Sequence, residues 1–297
     1  MVESFAIPLV NCFVLITGYF MIDKNKFSLR KPIDCLVITI LYGGISYLLT
    51  LCIGINSFSI MDGLEAIFPF IVGKRWFVET YIILILFAPF INKVLRLLTV
   101  TQYRILLVMQ ISIFCIWYSI GLSSPVLDDG YGIIIFFTLY MIGGFIQRNK
   151  EEKVLNWKRG KYLGIYVMCA VVTFVLSYFI NPYGYAFITN IIGASAIFMF
   201  FLKRDLSTNL LINTVSKATF DVYFVHSDFN TSYLLFYELL GAKYVVDTPG
   251  MILHLIAVIP AVYIVGCVSF KIRKQVFKIS IDSWLDKVAC INCEIEI

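Results

Sequence analysis

ESFAIPLVNCFVLITGYFMIDKNKFSLRK, residues 3–31, holds the pattern that decides the fold: a long apolar run and then a short basic loop. The apolar run, 3–22, is long enough to cross the hydrocarbon core of a bilayer as a helix. Lys24, Lys26 and Arg30 follow it before the next apolar run begins. This segment therefore predicts a membrane-spanning helix that ends at a strongly basic loop.

The same kind of apolar run recurs along the whole chain. The sequence is 60% hydrophobic and 14% charged, whereas soluble globular chains carry about 25% charged residues. This composition excludes a soluble domain and predicts an all-α, polytopic membrane helical bundle with about nine transmembrane helices. The nine apolar stretches cover 3–22, 35–54, 76–95, 103–122, 131–147, 162–181, 183–202, 218–238 and 250–270.

Basic residues alternate from loop to loop and predict the orientation of the chain. The loops after the first, third, fifth, seventh and ninth stretches hold 21 of the 24 lysines and arginines. Cytoplasmic loops of membrane proteins carry this excess, so we expect the N-terminus outside and the C-terminus in the cytoplasm. An external N-terminus so close to a span also predicts a further helix in front of it. We expect residues 1–270 to form the membrane domain and 271–297 a cytoplasmic, basic, amphipathic tail.

The charge and the cysteines argue against two other kinds of site. A net charge of +5 concentrated on the cytoplasmic side favours contact with anionic lipids, and no basic–aromatic pattern for nucleic-acid binding accompanies it. Cys290 and Cys293 form one C-x-x-C pair with neither a second pair nor a nearby histidine. We expect no metal site and no nucleic-acid partner.

His226 is the most informative polar residue inside a predicted span. It lies about eight residues, or roughly 12 Å, from the cytoplasmic start of the eighth stretch. Asp221 and Asp228 flank it, and Tyr223 precedes it by one helical turn. A neutral imidazole at this depth can accept a proton from a hydroxyl group or bind a carbonyl group. The alternative is a histidine that only bonds a neighbouring helix, and the residues alone leave both open.

Two further groups have a functional and a plainer interpretation. Glu79 follows Trp76 near the external end of its stretch, where it either pairs with Lys74 or Arg75 or lines a pocket for an external acceptor. Arg30 and Lys31, with Lys24 and Lys26, form the densest short basic cluster. They either set the topology and contact lipid, or they bind the phosphates of a cytoplasmic donor.

Three segments together resemble the acyltransferase 3 family of integral membrane O-acyltransferases. PLVNCFVLITGYF, residues 8–20, is similar to the family's apolar segment that ends in Ser-Gly-Tyr, with Thr17 in place of the serine. WFVETYIILILFAPFIN, residues 76–92, is similar to its span that begins with Trp and closes in Pro and Asn. TFDVYFVH, residues 219–226, is similar to its Phe-Gly-x-Tyr-Leu-x-His, with Asp221 in place of the glycine.

The resemblance implies a reaction and a set of site residues. An acyl group, usually acetyl, would pass from cytoplasmic acyl-CoA to a hydroxyl of a cell-surface or lipid-linked glycan, as in O-acetylation of exopolysaccharides, in a bacterial plasma membrane. We expect membrane lipids and the glycan acceptor as partners. His226 would be catalytic, Arg30 and Lys31 would bind the donor, and the acceptor pocket would include Trp76, Glu79 and Tyr223.

One feature of the family has no counterpart near residue 1. Family members begin with a helix that carries a basic residue and then a histidine, and this sequence starts where the following helix would start. Together with the charge alternation, this difference predicts one transmembrane helix more in the full family fold. Two alternatives stay open: an inactive remnant that lacks this helix, and a glycan transporter or polymerase subunit.

Overall fold

The structure, a computed structural model, describes residues 1–24, 26–55, 57–68, 75–121, 130–204, 209–227, 236, 239–245, 248–280 and 293–294. Most of these residues are helical. Two short strands, Lys26–Phe27 and Cys293–Glu294, pair in antiparallel fashion. In chain order the α-helices are α1 Val2–Met21, α2 Arg30–Ile53, α3 Ile60–Ile67, α4 Trp76–Leu97, α5 Val100–Gln110, α6 Ile133–Arg148, α7 Arg159–Leu176, α8 Ile188–Leu202, α9 Leu210–Lys217, α10 Thr219–Ser227 and α11 Met251–Ser280.

Six of the described helices are long and apolar enough to cross a membrane. They are α1, α2, α4, α5 with its continuation to Ser119, α7 and α11, and the shorter helices α6 and α8 are also apolar. Only a helix can satisfy its own backbone in hydrocarbon, so this multi-pass membrane fold follows from the apolar runs. The predicted number of nine spans is not confirmed. The eighth predicted stretch, 218–238, is described mainly as the nine-residue helix α10, and most of its remainder lies outside the described residues.

By contacts the chain divides into two compact units, each of which we describe by itself. The first comprises Met1–Ser28, Trp76–Asp205 and Ile291–Ile297, and the second comprises Leu29–Arg75 and Leu206–Cys290. In the first unit α1 packs against α6 and α8. Glycines make this packing close: a Cβ at Gly18 would overlap the Tyr140 carbonyl, and a Cβ at Gly143 would overlap the Leu15 carbonyl. Small residues at such crossings let two membrane helices bring their backbones together.

Buried side-chain amides join the segments of the first unit. The Asn92 amide nitrogen donates hydrogen bonds to the carbonyls of Met21 and Lys24 at 2.6 and 3.2 Å. The Asn92 side-chain oxygen accepts one from the Tyr140 hydroxyl at 2.7 Å. Both Asn92 and Tyr140 are fully buried. Buried polar groups must be paired in this way, so one amide fixes the end of α1 against α4 and α6.

The helix α5 continues past Gln110 as π-helical turns over Ile111–Ile116 and a last α-turn, Trp117–Ser119. The Ser119 hydroxyl accepts a hydrogen bond of 2.8 Å from the backbone N–H of Ile188, the first residue of α8. One of the unpaired donors at the start of α8 is therefore satisfied by the end of another helix. The predicted stretch 183–202 begins five residues before α8 does, because Asn190 holds the preceding turn through the carbonyls of Pro182 and Gly184.

The second unit contains α2, α3 and α9 to α11. Helix α10 packs on α11, and α3 packs on α2. The Tyr47 hydroxyl donates to the Ser59 carbonyl at 2.6 Å and accepts from the Ser59 N–H, which fixes the turn between α2 and α3. Helix α11 runs without interruption from Met251 through the basic residues to Ser280.

Candidate functional site

His226 lies in the last turn of α10 and has a defined ring orientation. Its Nδ1 is 2.7 Å from the carbonyl oxygen of Val222, one turn earlier. A carbonyl only accepts, so Nδ1 carries a proton, and in the neutral ring Nε2 then keeps its lone pair. Nε2 has no hydrogen-bond partner among the residues that the structure describes. The imidazole and the Tyr223 ring are perpendicular, with their centroids 6.0 Å apart and their planes at 90°. This tautomer leaves a nitrogen that can accept a proton.

A buried ion pair holds the same helix at its other end. Asp221 is fully buried, and the side chain of Arg273 on α11 is only 12% exposed. The guanidinium donates from Nε to Oδ1 at 2.6 Å and from a terminal nitrogen to Oδ2 at 2.8 Å. The Tyr42 hydroxyl on α2 donates to Oδ1 at 2.7 Å. A bidentate pair with a third donor satisfies the carboxylate and joins α2, α10 and α11.

Side-chain packing supports this junction on both sides. The Tyr42 ring stacks on the Phe224 ring with centroids 5.0 Å apart, and the Arg75 guanidinium carbon lies 5.2 Å from the Phe224 centroid. A Cβ at Gly266 would overlap the Val222 side chain and lie 2.9 Å from its Cα. Helix α11 therefore crosses α10 in direct contact at Val222, the residue whose carbonyl orients His226.

A cavity of about 480 Å³ lies in the second unit, and His226 is on its wall. Most of its lining is apolar, and a second histidine, His254, contributes to it. The Nε2 of His254 is 2.6 Å from the Leu240 carbonyl, which again fixes the ring. The lining includes Val222, Phe236, Met251 and Val258. Concave, mostly apolar cavities with a few polar groups are the usual form of ligand sites.

The predicted donor residues begin α2. Arg30 and Lys31 are its first two residues, both exposed, and the first turn carries no acidic side chain. The N-cap residue, Leu29, provides no side-chain hydrogen bond. The positive end of a helix together with two cations attracts anions such as phosphate.

Trp76 and Glu79 lie one turn apart on α4 in the first unit, where Glu79 is half-buried. The Trp76 ring meets the rings of Tyr131 and Tyr185 at 4.9 Å each, and Asn11 holds the Tyr185 backbone through a 3.0 Å bond to its carbonyl. Three aromatic rings therefore cluster at the start of α4, and Glu79 lies one turn further along the same helix. The predicted acceptor residue Tyr223 belongs to the second unit, beside His226.

Sequence analysis missed Arg273 and placed it in a basic cytoplasmic tail. The structure brings it to Asp221, and a signal for this pairing existed, because a carboxylate inside a predicted span requires a cation. Asp228, Lys74 and Cys290 lie outside the described residues. Among the residues that are described, no three metal-binding side chains form a group.

The helices and the site define the class: a multi-pass membrane protein with a histidine on the wall of an apolar cavity. The model of one family, described as an acyltransferase domain, matches residues 3–271 of the 297. The chain therefore belongs to the acyltransferase 3 family of membrane acyltransferases. Searches of curated proteins and of solved structures gave no match.

Proposed function

We propose that the chain transfers an acyl group from cytoplasmic acyl-CoA to a hydroxyl of a cell-surface or lipid-linked glycan. The observation that carries this proposal is the His226 ring, whose Nδ1 is held by the Val222 carbonyl and whose Nε2 can accept a proton beside an apolar cavity. The family match supports the acyl-transfer chemistry. The protein works in a bacterial plasma membrane, with its N-terminus outside and its basic loops against cytoplasmic lipids.

The chemistry requires one base and one leaving thiolate. The acceptor oxygen bonds to the thioester carbonyl carbon while its proton passes to Nε2 of His226. The carbon–sulfur bond then breaks, and the leaving CoA thiolate takes the proton from the imidazolium. The Val222 carbonyl keeps the ring in the required tautomer and stabilises its charged form.

The other predicted residues serve the two substrates. Arg30 and Lys31 at the start of α2 bind the phosphates of CoA, for which their charge and exposure are suited. Trp76 and Glu79 contact the sugar acceptor: aromatic faces pack on the C–H faces of sugar rings, and a carboxylate accepts hydrogen bonds from hydroxyls. Tyr223 orients the acceptor hydroxyl beside His226. Acetyl is the group that the resemblance suggests.

Replacing His226 by asparagine tests the proposed base. The asparagine amide nitrogen can still donate to the Val222 carbonyl, but no group replaces Nε2, so transfer of labelled acyl groups should fall about 100-fold. The assay follows label from acyl-CoA into glycan in membranes from the native source. Ser227→Ala, a change at the neighbouring exposed residue, should leave the rate unaltered. An unchanged rate in His226→Asn would return His226 to a structural role, and no transfer by the native protein would reject the enzyme.

Replacing Arg30 and Lys31 together by glutamine should weaken donor binding about tenfold, since two exposed ion pairs contribute up to about 1 kcal/mol each. The measurement is the apparent KM for acyl-CoA at two salt concentrations, because screening should reduce the difference. The control is the double replacement of Lys153 and Lys158, which are also exposed, by glutamine. Orientation must be measured in both variants, since basic residues also set topology. Equal KM values in the two variants would exclude this donor site.

A further inference from the structure

The cavity beside His226 is elongated along α11. Its lining residues on that helix run from Met251 to Tyr263, which is about 18 Å at the rise of an α-helix. Val262 lies at one end of this stretch and Met251 at the other. His226 belongs to the Val262 end, because Val222, one turn before it, packs against Gly266. The lining residues Val222, Val258 and Val262 form a buried cluster together with Val225. The cavity is therefore much longer than an acetyl group.

The lining chemistry restricts what can occupy this space. A sugar carries hydroxyls all round and CoA carries phosphates, and neither finds partners on a wall of valine, leucine and methionine side chains. A hydrocarbon chain loses nothing there and gains from leaving water. The polar groups on the wall are few, and His226 is one of them. A ligand that fits has an apolar chain and one polar group that reaches His226.

The acyl part of a thioester donor has this form. If the carbonyl carbon reacts beside Nε2 of His226, the chain attached to that carbon extends along the apolar wall. We propose that the cavity holds the acyl chain of the donor and that the transferred group is longer than acetyl, of the butyryl to hexanoyl class. This inference rests on the proposed function and names its substrate more closely.

Binding of a donor series to the full-length protein in one detergent tests the inference. The series is CoA, acetyl-CoA, butyryl-CoA and hexanoyl-CoA, with affinities measured by calorimetry. Each buried methylene contributes roughly 0.8 kcal/mol, or about fourfold in affinity, so butyryl-CoA should bind about fifteenfold tighter than acetyl-CoA. Equal affinity for the acylated donors would overturn the inference while leaving the proposed function in place. Failure of every CoA compound to bind would reject the proposed function as well.

A cavity-filling variant distinguishes binding of the acyl chain in the cavity from binding to the detergent micelle or to a lipid-facing surface. Val258 is 6% exposed and lines the cavity, whereas Ile256 on the same helix is 64% exposed. Val258→Trp should abolish the gain from acetyl to hexanoyl while CoA itself binds as before, and Ile256→Trp should keep the gain. If Val258→Trp does not fold, Val258→Phe, a smaller change at the same position, should reduce the gain from acetyl to hexanoyl in part. A gain that persists equally in every folded variant would mean that chains bind the micelle or a lipid site, and would overturn the inference.

Discussion

Replacing Asp221 by alanine is expected to destabilise the folded chain by about 3–5 kcal/mol, because the Arg273 guanidinium would stay buried without its counter-charge. The Tyr42 hydroxyl would lose its acceptor in the same change. The expected result is a large fall in the thermal unfolding midpoint of the protein in detergent, measured by fluorescence. Transfer should fall too, since the pair holds α10 and with it His226 against α11.

Two further variants show whether the charge pair is responsible. Lys274→Ala changes the next residue on α11, which is exposed, and should alter stability by less than about 0.5 kcal/mol. Replacing Asp221 by leucine and Arg273 by methionine together should recover most of the lost stability, because no isolated charge remains buried. If Asp221→Ala melts like the native protein, the carboxylate is not buried against Arg273 in the membrane.

Gly143→Val is expected to prevent folding of the first unit almost completely. Even a Cβ at this position would overlap the Leu15 carbonyl, and backbone cannot move aside as a flexible side chain can. Helices α1 and α6 would have to separate. We expect this to lower the stability of the fold by about 3 kcal/mol, which is the upper end of the usual cost of overpacking. The measurement is the yield of monodisperse protein by size-exclusion chromatography with fluorescence detection.

The matched control is the same substitution at a glycine without neighbours. Gly164 lies on α7, and a Cβ there would meet nothing within 4 Å. Gly164→Val should therefore keep the native yield, because valine favours a helix at least as well as glycine does. Equal yields for the two variants would mean that α1 and α6 do not cross at Gly143.

The helices themselves could be predicted because a chain segment in hydrocarbon can pair its backbone N–H and C=O groups within itself only as a helix. The apolar stretch 76–95 became α4, and 3–22 became α1, within one or two residues. The ends were harder, since they depend on distant partners. Helix α2 begins at Arg30 rather than at residue 35. Polar side chains in the first turn do not interrupt the helical hydrogen bonds of the backbone, but a hydropathy pattern does not include such a turn in the predicted stretch.

The site could be predicted in part for a related reason. His226 stood out because a lone histidine in an apolar span is unusual, but its partner is a backbone carbonyl that no sequence pattern marks. Arg273 was missed because topology signals and buried counter-ions use the same residue types. Asp221 and Arg273 are 52 residues apart in the chain. A local sequence pattern does not show which distant residues come into contact. The same limit applies to Asn92, whose partners lie on two other segments.

The π-helical turns of α5 let this span take up a change in its length. A π-turn holds one residue more than an α-turn, so the extra residue is contained within Ile111–Ile116 and the helix on either side keeps its facing. Loss of a single residue within Ile111–Ile116 would restore regular α-helix and leave Ser119 opposite the Ile188 N–H. In a helix that is α-helical throughout, the same deletion would rotate every later residue by about 100°. The start of α8 is therefore expected to keep its acceptor after a one-residue deletion in the middle of this apolar run.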